Sequence, residues 1–293
     1  MAPPGEIVYL PNTETYNLWA STYDTDGNIL QAIDNHQILH DLFPLVLKGL
    51  IGTNATTLNI TDLGAGTGRA SLAFLAALTQ RLQDGAVDAP LTIHLTLLDS
   101  SSEMLALAQS KLLAAIASLP TSLQVSISPT FKEFDISSPH PPDVAQADLV
   151  FSTLVLEHLP IATFFTAVSA ATKSSGQAIV TNMHSAMGKT ALNTSWTPGA
   201  EGAASTTGAG FKDAEGRKVR AAESWGHDED EVESVARDHG LVMLGHREEV
   251  CVTPQMLEGD GDGVGGGRGI KLGERGRKWI GTNVWTGWTF RKT

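Results

Sequence analysis

From residue 57 onward, strand-like apolar runs alternate with helix-like segments, and this alternation constrains the fold more than any other feature of the chain. Strands separated by helices assemble as a parallel sheet with helices packed on both faces. The first unit is "TTLNITDLG" followed by the alanine- and leucine-rich "RASLAFLAALTQRLQ" at 69–83. "LTIHLTLLDS" reads as the second strand. The helix after it, through "MLALAQSKLLAAIAS", is expected to begin at a capping box from Ser100 to Glu103, whose side chains satisfy each other's free backbone amides. "LQVSISP", "ADLVFSTLVL" and "GQAIVTNMH" read as the third, fourth and fifth strands. Pro160 suits the first turn of the helix "PIATFFTAVSAATK", a position that needs no amide donor.

Beyond residue 184 the pattern weakens. Residues 185–210 are mostly Ala, Gly, Ser and Thr, too poor in large apolar groups to order themselves by burial, and read as a mobile loop over one end of the sheet. "GFKDAEGRKVR" places a turn-like "DAEG" between short polar strands. Residues 228–239 read as a helix with acids in its first turn, Arg237 and His239 in its last, and Gly240 as terminator, so the acidic run "DEDEVE" is explained as a solvated, dipole-matched helix start. "LVMLGHREEVCVT" and "TNVWTGWTFRK" read as the two last strands, the second alternating Val284, Thr286, Trp288 and Phe290 on one face. The glycine-rich linker at 258–269, "EGDGDGVGGGRG", lacks both the full ligand set of a calcium loop and a following helix, so no metal or phosphate site is assigned to it.

A chain of 293 residues, 42% of them hydrophobic, can bury a substantial core. Its formal charge of -12 opposes a phosphate backbone or an anionic membrane surface, both of which attract Lys and Arg. The expected partner is therefore a small molecule, with no nucleic acid and no membrane. No apolar run reaches the roughly 20 residues that cross a bilayer; Glu157, His158 and Pro160 interrupt the best one. Cys251 is the only cysteine, which excludes an intrachain disulfide and reads as an inert packed thiol in a reducing, cytoplasmic setting. "MAPPGEIVYLPN" does not read as a secretory signal.

The stretch with chemical content is "ITDLGAGTGRASL", where the first strand ends in glycines and feeds a helix. Such a corner sets free backbone amides and the positive end of a helix dipole against a ligand above the sheet edge. Dinucleotide sites place their third glycine three residues after the second. Here Gly64 and Gly66 are followed by Gly68, and the dinucleotide position is Arg69. This spacing resembles the first motif of class I S-adenosylmethionine-dependent methyltransferases. Asp99 closes the second strand, Asp135 stands in "FKEFDIS", "FSTLVLEHLP" follows the fourth strand, and "YNLWASTYDTDGN" lies upstream. Together these matches span about residues 16 to 184 and are similar to the small-molecule branch of that family, the ubiquinone-type and type 11 or 12 enzymes.

The resemblance implies an α/β fold with a Rossmann-like, seven-stranded, mostly parallel sheet and a C-terminal antiparallel strand. It implies an N-terminal helical cap at 1–56, a core at 57–293, and a flexible lid within about 185–226. The cofactor implied is S-adenosyl-L-methionine. Gly64, Ala65, Gly66 and Gly68 would approach it by backbone, and Asp62 would help position its amino-acid part. Asp99 would accept both ribose hydroxyls, since one carboxylate accepts two hydroxyl hydrogen bonds at once, and Ser100 beside it would also contact the cofactor. Asp135 would lie by the adenine, Met104 and Ile136 would also contact the cofactor, and the segment "FSTLVLEHLP", with the cofactor contacts Ser152 and Thr153, would line the methyl-transfer side. Tyr16, Trp19 and Tyr23 sit at helical spacing, which reads either as a docking face or as a cofactor cover formed by Tyr16 and Tyr23 with Trp19 turned to the acceptor.

Methyl transfer chiefly requires alignment, with a base useful when the acceptor is a hydroxyl or protonated amine. His158 and His184, after the fourth and fifth strands, are the candidate bases, and Trp196, Trp225 and His227 the candidate acceptor contacts. No "Asn/Asp-Pro-Pro-Tyr" follows the fourth strand, which argues against methylation of nucleic-acid bases. Two rivals stand beside this reading. A nicotinamide-dependent oxidoreductase conflicts with Arg69 and with the absence of Lys four residues after any tyrosine. A protein that binds the cofactor without transferring methyl would share every feature of the cofactor site.

Overall fold

A computed structural model describes residues 7–51, 56–85, 90–192, 211–213, 216–259 and 269–293. The alternation read from the sequence is borne out. Strand β2 (Thr57–Leu63) leads into helix α4 (Arg69–Gln83), then β3 (Leu91–Asp99), α5 (Ser102–Ala117), β4 (Val125–Glu133), β5 (Ala147–Thr153), α6 (Ile161–Ala171) and β6 (Thr172–Met183). Ahead of them lie β1 (Ile7–Leu10), α1 (Asn12–Trp19), α2 (Ile29–Gln37), a π-helical turn Ile38–Leu42 and α3 (Phe43–Leu50). After them come α7 (Ser185–Leu192), β7 (Phe211–Lys212), β8 (Lys218–Ala221), α8 (Glu229–Asp238), β9 (Leu241–Met243), β10 (Glu248–Cys251), α9 (Gln255–Glu258) and β11 (Asn283–Lys292).

The main sheet runs β10-β11-β6-β5-β2-β3-β4, with β9 also paired to β11. β11 is antiparallel to β6, β9 and β10, whereas β6, β5, β2, β3 and β4 are mutually parallel. The single strand expected from "LVMLGHREEVCVT" is thus two, because the chain bends at Gly245 (φ 76) and the halves pair with successive stretches of β11. The sheet consequently has eight strands rather than seven.

Core residues divide by strand parity. Leu149 and Phe151 of β5 pack with α2, α3 and α4 on one face, and Val150 packs with α6 and α8 on the other. Strands buried on both faces read as continuous apolar runs. For this reason β11 buries Trp285 as well as Trp288 and Phe290, where a single apolar face was expected. In α4, buried Ala70, Ser71, Phe74, Leu75, Ala77 and Leu78 form the apolar stripe that docks it on the sheet. Cys251 is exposed rather than packed, and it follows the bulge at which the register of β10 with β11 shifts after buried Val250.

Several local expectations are corrected. The N-cap of α5 is Ser101, whose side chain accepts from the Met104 amide, because Ser100 is still leaving β3. Pro160 occupies the N-cap of α6 rather than its first turn. Residues 185–192, expected as loop, form α7, held at its start by Glu229, whose carboxylate accepts from the Ser185 amide and hydroxyl, each at 2.7 Å. Glu229 is therefore buried and not a solvated helix-start acid. Residues 193–210 of the expected loop, and 260–268 of the expected linker, lie outside the described residues. The N-terminal segment is not helical throughout. β1 pairs in parallel with β8, which pairs with β7, so the segment before residue 57 shares a small sheet with residues 211–221.

Candidate active site

The carboxyl ends of β2, β3, β4 and β5 meet where the chain, having built outward from β2 through β3 to β4, returns to its other side at β5. Open parallel sheets bind ligands at such a switch point. β2 ends in the glycine turn, and the amides of Gly64 and Ala65 both donate to Leu98 O of β3 at 2.8 and 2.9 Å. Gly64 has φ +78, and a Cβ there would lie 2.4 Å from Val155 Cγ2, so no side chain fits. Gly66, with φ +52, has nothing within 4 Å of the Cβ position and borders the cleft above the sheet. Its amide donates to Asp99 Oδ2 at 2.7 Å, while Asp99 Oδ1 accepts from Ser101 N at 2.8 Å. Burial raises the Asp99 pKa, and these amides oppose the rise.

The cleft and the solvent at its mouth together span about 870 Å³. Of the residues singled out from the sequence, Tyr16, Tyr23, Gly64, Gly66, Asp99, Ser100, Met104, Asp135, Ile136, Thr153 and His158 line it. Asp135 shapes the wall after β4 by accepting from the amide and hydroxyl of Ser137 at 2.8 and 2.7 Å. Leu154, Val155 and Leu159, from the segment "FSTLVLEHLP" expected on the methyl-transfer side, line it as well, whereas Asn12, Thr13, Phe134, Ser137 and Glu223 were not anticipated. Phe134 and Ser137 could have been found from their adjacency to Asp135, but Asn12, Thr13 and Glu223 reach the cleft only through tertiary packing.

Other expected residues sit outside the lining. Gly68 caps α4, Ala65 is buried, and Ser152 Oγ donates to Leu63 O at 2.6 Å. Asp62 lies fully buried beneath the turn; Ser71 Oγ donates to its Oδ2 at 2.7 Å, and its Oδ1 has no hydrogen-bond partner among the described residues. Burial pushes its pKa up to about 7. α1 ends at Trp19, so Tyr23 follows in a separate turn, yet the rings of Tyr16, Trp19 and Tyr23 still pack together with centroids 5.1 to 6.0 Å apart. Trp19 stacks on Phe211 at 5.1 Å, which turns it toward the small sheet. His227 Nε2 binds the Leu156 and Leu159 carbonyls, and the Trp225 amide donates to Glu157 O, so both hold the segment after β5 from behind. His184 is buried between Glu229 and Glu249, 3.5 and 3.6 Å away, at the start of α7. Trp196 lies outside the described residues.

Two clusters of charge that the sequence did not disclose frame the site. Arg69, the first residue of α4, reaches Asp34 of α2 at 2.6 Å, Asn35 at 2.8 Å and the cleft residue Thr153 at 3.0 Å. Asp34 is 0% exposed and also accepts from Trp285 Nε1 at 2.8 Å. Across the cleft, the Tyr16 hydroxyl lies 2.7 Å from His158 Nε2, and Glu157 Oε1 is 3.6 Å from the same nitrogen. Burial lowers the His158 pKa to about 4, so its imidazole is neutral at pH 7, and burial raises Tyr16 well above 10.0 and Glu157 to about 7. The arrangement presents backbone amides and carboxylates at one end and a neutral histidine with a phenol at the other.

No family model matches the chain. An uncharacterized methyltransferase of Emericella nidulans is 31% identical over 304 residues, covering 96% of this chain and 91% of that protein. Among solved structures, magnesium protoporphyrin IX methyltransferase from Synechocystis PCC 6803 with bound SAH aligns with a TM-score of 0.53 at 15% identity, covering 96% of both chains. A S-adenosylmethionine-dependent methyltransferase from Clostridium acetobutylicum ATCC 824 aligns with a TM-score of 0.50 at 13% identity, covering 95% of this chain and 98% of that one. With a glycine turn, a strand-end carboxylate and a relative matched along nearly its whole length, the chain belongs to the methyltransferases and has the fold of the S-adenosylmethionine-dependent enzymes.

Proposed function

We propose that this methyltransferase uses S-adenosylmethionine to methylate an oxygen or nitrogen of a small molecule by direct in-line transfer. The observation that carries the reading is the continuous cleft from the Gly66 amide, past the Asp99 carboxylate, to Asp135, with Tyr16 and His158 facing it. These residues fit the cofactor's chemistry. The open Gly66 backbone admits close approach, and Asp99 and Ser100, which line the cleft, suit a ribose diol. When bound, the cofactor supplies a methyl group on a positively charged sulfur, already activated for attack by a lone pair.

The chain's own contribution is then to hold the acceptor in line and exclude water, and positioning of this kind supplies roughly 7 to 11 kcal/mol of barrier reduction. Tyr16 and Tyr23 cover the cofactor end, Thr153 and Leu154 floor the side after β5, and His158 faces the acceptor. The chain's charge of -12 supports a small acceptor over a nucleic acid. The test is calorimetry with the cofactor, followed by incubation with methyl-labelled cofactor and metabolite extract. Heat of binding and label in a small product are expected; label confined to macromolecules would refute the acceptor class, and binding without any transfer would refute the reaction.

A further inference from the structure

We infer that Tyr16, His158 and Glu157 form a proton relay, in which the Tyr16 hydroxyl touches the methyl acceptor and passes its proton through His158 Nε2 to the Glu157 carboxylate. The inference rests on the reading of the cleft as the cofactor and acceptor site. It narrows the acceptor to a group that must lose a proton on methylation, a hydroxyl or an ammonium, and excludes tertiary amines and thioethers.

The geometry places the three groups in series. Tyr16 comes from α1 and His158 from the turn after β5, both line the cleft, and their 2.7 Å contact is a full hydrogen bond. With the imidazole proton on Nδ1, Nε2 accepts from the phenol. Glu157 Oε1 stands 3.6 Å from that nitrogen, within ion-pair range but beyond hydrogen-bond length, so in the relay the carboxylate closes on the ring as it charges. The turn is fixed on its far side, since the Glu157 amide donates to Asn182 Oδ1 at 3.1 Å and Asn12 Nδ2 donates to His158 O at 3.3 Å.

The step balances. The acceptor heteroatom forms its bond to the methyl carbon, and the carbon–sulfur pair remains on sulfur. The acceptor's proton moves to Tyr16 Oη as the phenol's own proton moves to His158 Nε2, and the proton then passes to Glu157 Oε1. Tyr16 and His158 end neutral and Glu157 ends as the acid, so the positive charge lost at sulfur is matched by the negative charge removed at Glu157. Burial suits each member to its part. The Tyr16 phenol stays protonated, the imidazole stays neutral and ready to accept, and the carboxyl, raised to about 7, holds a proton better than the imidazole at about 4. Tyr16 and Tyr23 face Glu157 from the N-terminal segment, Asp34 from α2, the Met183 backbone from β6 and His158 from its own turn. Glu223 borders the same end of the cleft.

Because Glu157 must be ionised to take the proton, transfer rises with pH through about 7 and levels above it. Three measurements on the full chain test this. In the ligand-free protein with nitrogen-15-labelled histidine, Tyr16→Phe moves the Nε2 resonance assigned by His158→Gln. With labelled cofactor and metabolite extract, Tyr16→Phe lowers the rate of label transfer by about 10²- to 10⁴-fold, the range for a lost acid–base group, and Glu157→Gln removes the rise through pH 7. Calorimetry on the wild-type protein shows heat with the cofactor. An unmoved resonance, a rate within threefold of wild type, or a pH profile unchanged by Glu157→Gln overturns the relay. Absence of heat with the cofactor in the wild-type protein overturns instead the reading beneath it.

Discussion

Asp34→Ala is the most incisive perturbation, because it tests whether a buried pair invisible to sequence patterning fixes the N-terminal segment to the sheet. Asp34 is 0% exposed, pairs with Arg69 at 2.6 Å and accepts from Trp285 Nε1 at 2.8 Å, linking α2, α4 and β11 at one carboxylate. Its removal leaves a guanidinium whose side chain is 12% exposed without its counter-ion and a buried indole N–H without its acceptor. Breaking a buried pair from one side costs about 3–5 kcal/mol, and the indole's loss is contained in the same measurement rather than added to it. At roughly 2.1 cal/mol/K per residue, unfolding 293 residues carries about 0.6 kcal/mol/K of entropy, so the melting temperature should fall by about 5–8 °C. The assay is calorimetric melting of wild type, Asp34→Ala and the double variant Asp34→Leu with Arg69→Met. Replacing both charges by apolar groups removes the uncompensated ion, so the double variant should recover most of the loss. A single variant within about 2 °C of wild type, or a double variant no better than the single, would refute the reasoning.

Four further outcomes are expected. Asp99→Asn should weaken cofactor binding about 10- to 100-fold by calorimetry, the worth of hydrogen bonds to a charged acceptor, and an unchanged affinity would contradict the ribose contact. Gly64→Ala should destabilise by about 2–4 kcal/mol in denaturant melts, since a Cβ 2.4 Å from Val155 adds overpacking to left-handed strain. Gly66→Ala meets no protein atom and should cost only about 1–2 kcal/mol of stability while impairing cofactor binding more than Gly64→Ala impairs it per unit of stability lost. Asp62 is held near pKa 7 against an unfolded value near 3.8, so the folded state binds its proton more tightly; the stability it contributes at low pH is lost as pH rises through 7. Asp62→Asn should therefore flatten the fall in melting temperature between about pH 5 and 8, and an unaltered slope would exclude this carboxyl as its source.

Much of the site was legible because its chemistry is local. Gly64, Gly66 and Asp99 stand at strand ends fixed by the apolar runs before them, and the turn's spacing separated this site from a dinucleotide one before any contact was known. The Tyr16 contact with His158 joins residues 142 positions apart and the Trp285 contact with Asp34 joins residues 251 apart, so neither leaves a periodic trace. His184 and Trp225 were singled out for their chemistry and position along the chain, yet carboxylates and backbone groups engage them in scaffolding. Glu229 illustrates the same limit, since a first-turn acid is ordinarily solvated and only the docking of α7 against α8 buries this one.

The sequence by itself determined the order of strands and helices, the parallel character of the sheet and the place of the glycine turn, because hydrophobic period and turn chemistry act over a few residues. The tertiary structure alone decided the eighth strand, the small sheet joining the N-terminal segment to residues 211–221, and the ion pair and phenol–imidazole contact at the cleft. Those features depend on which distant surfaces meet once the core is buried, and burial rather than composition sets the protonation of Asp62, Glu157 and His158.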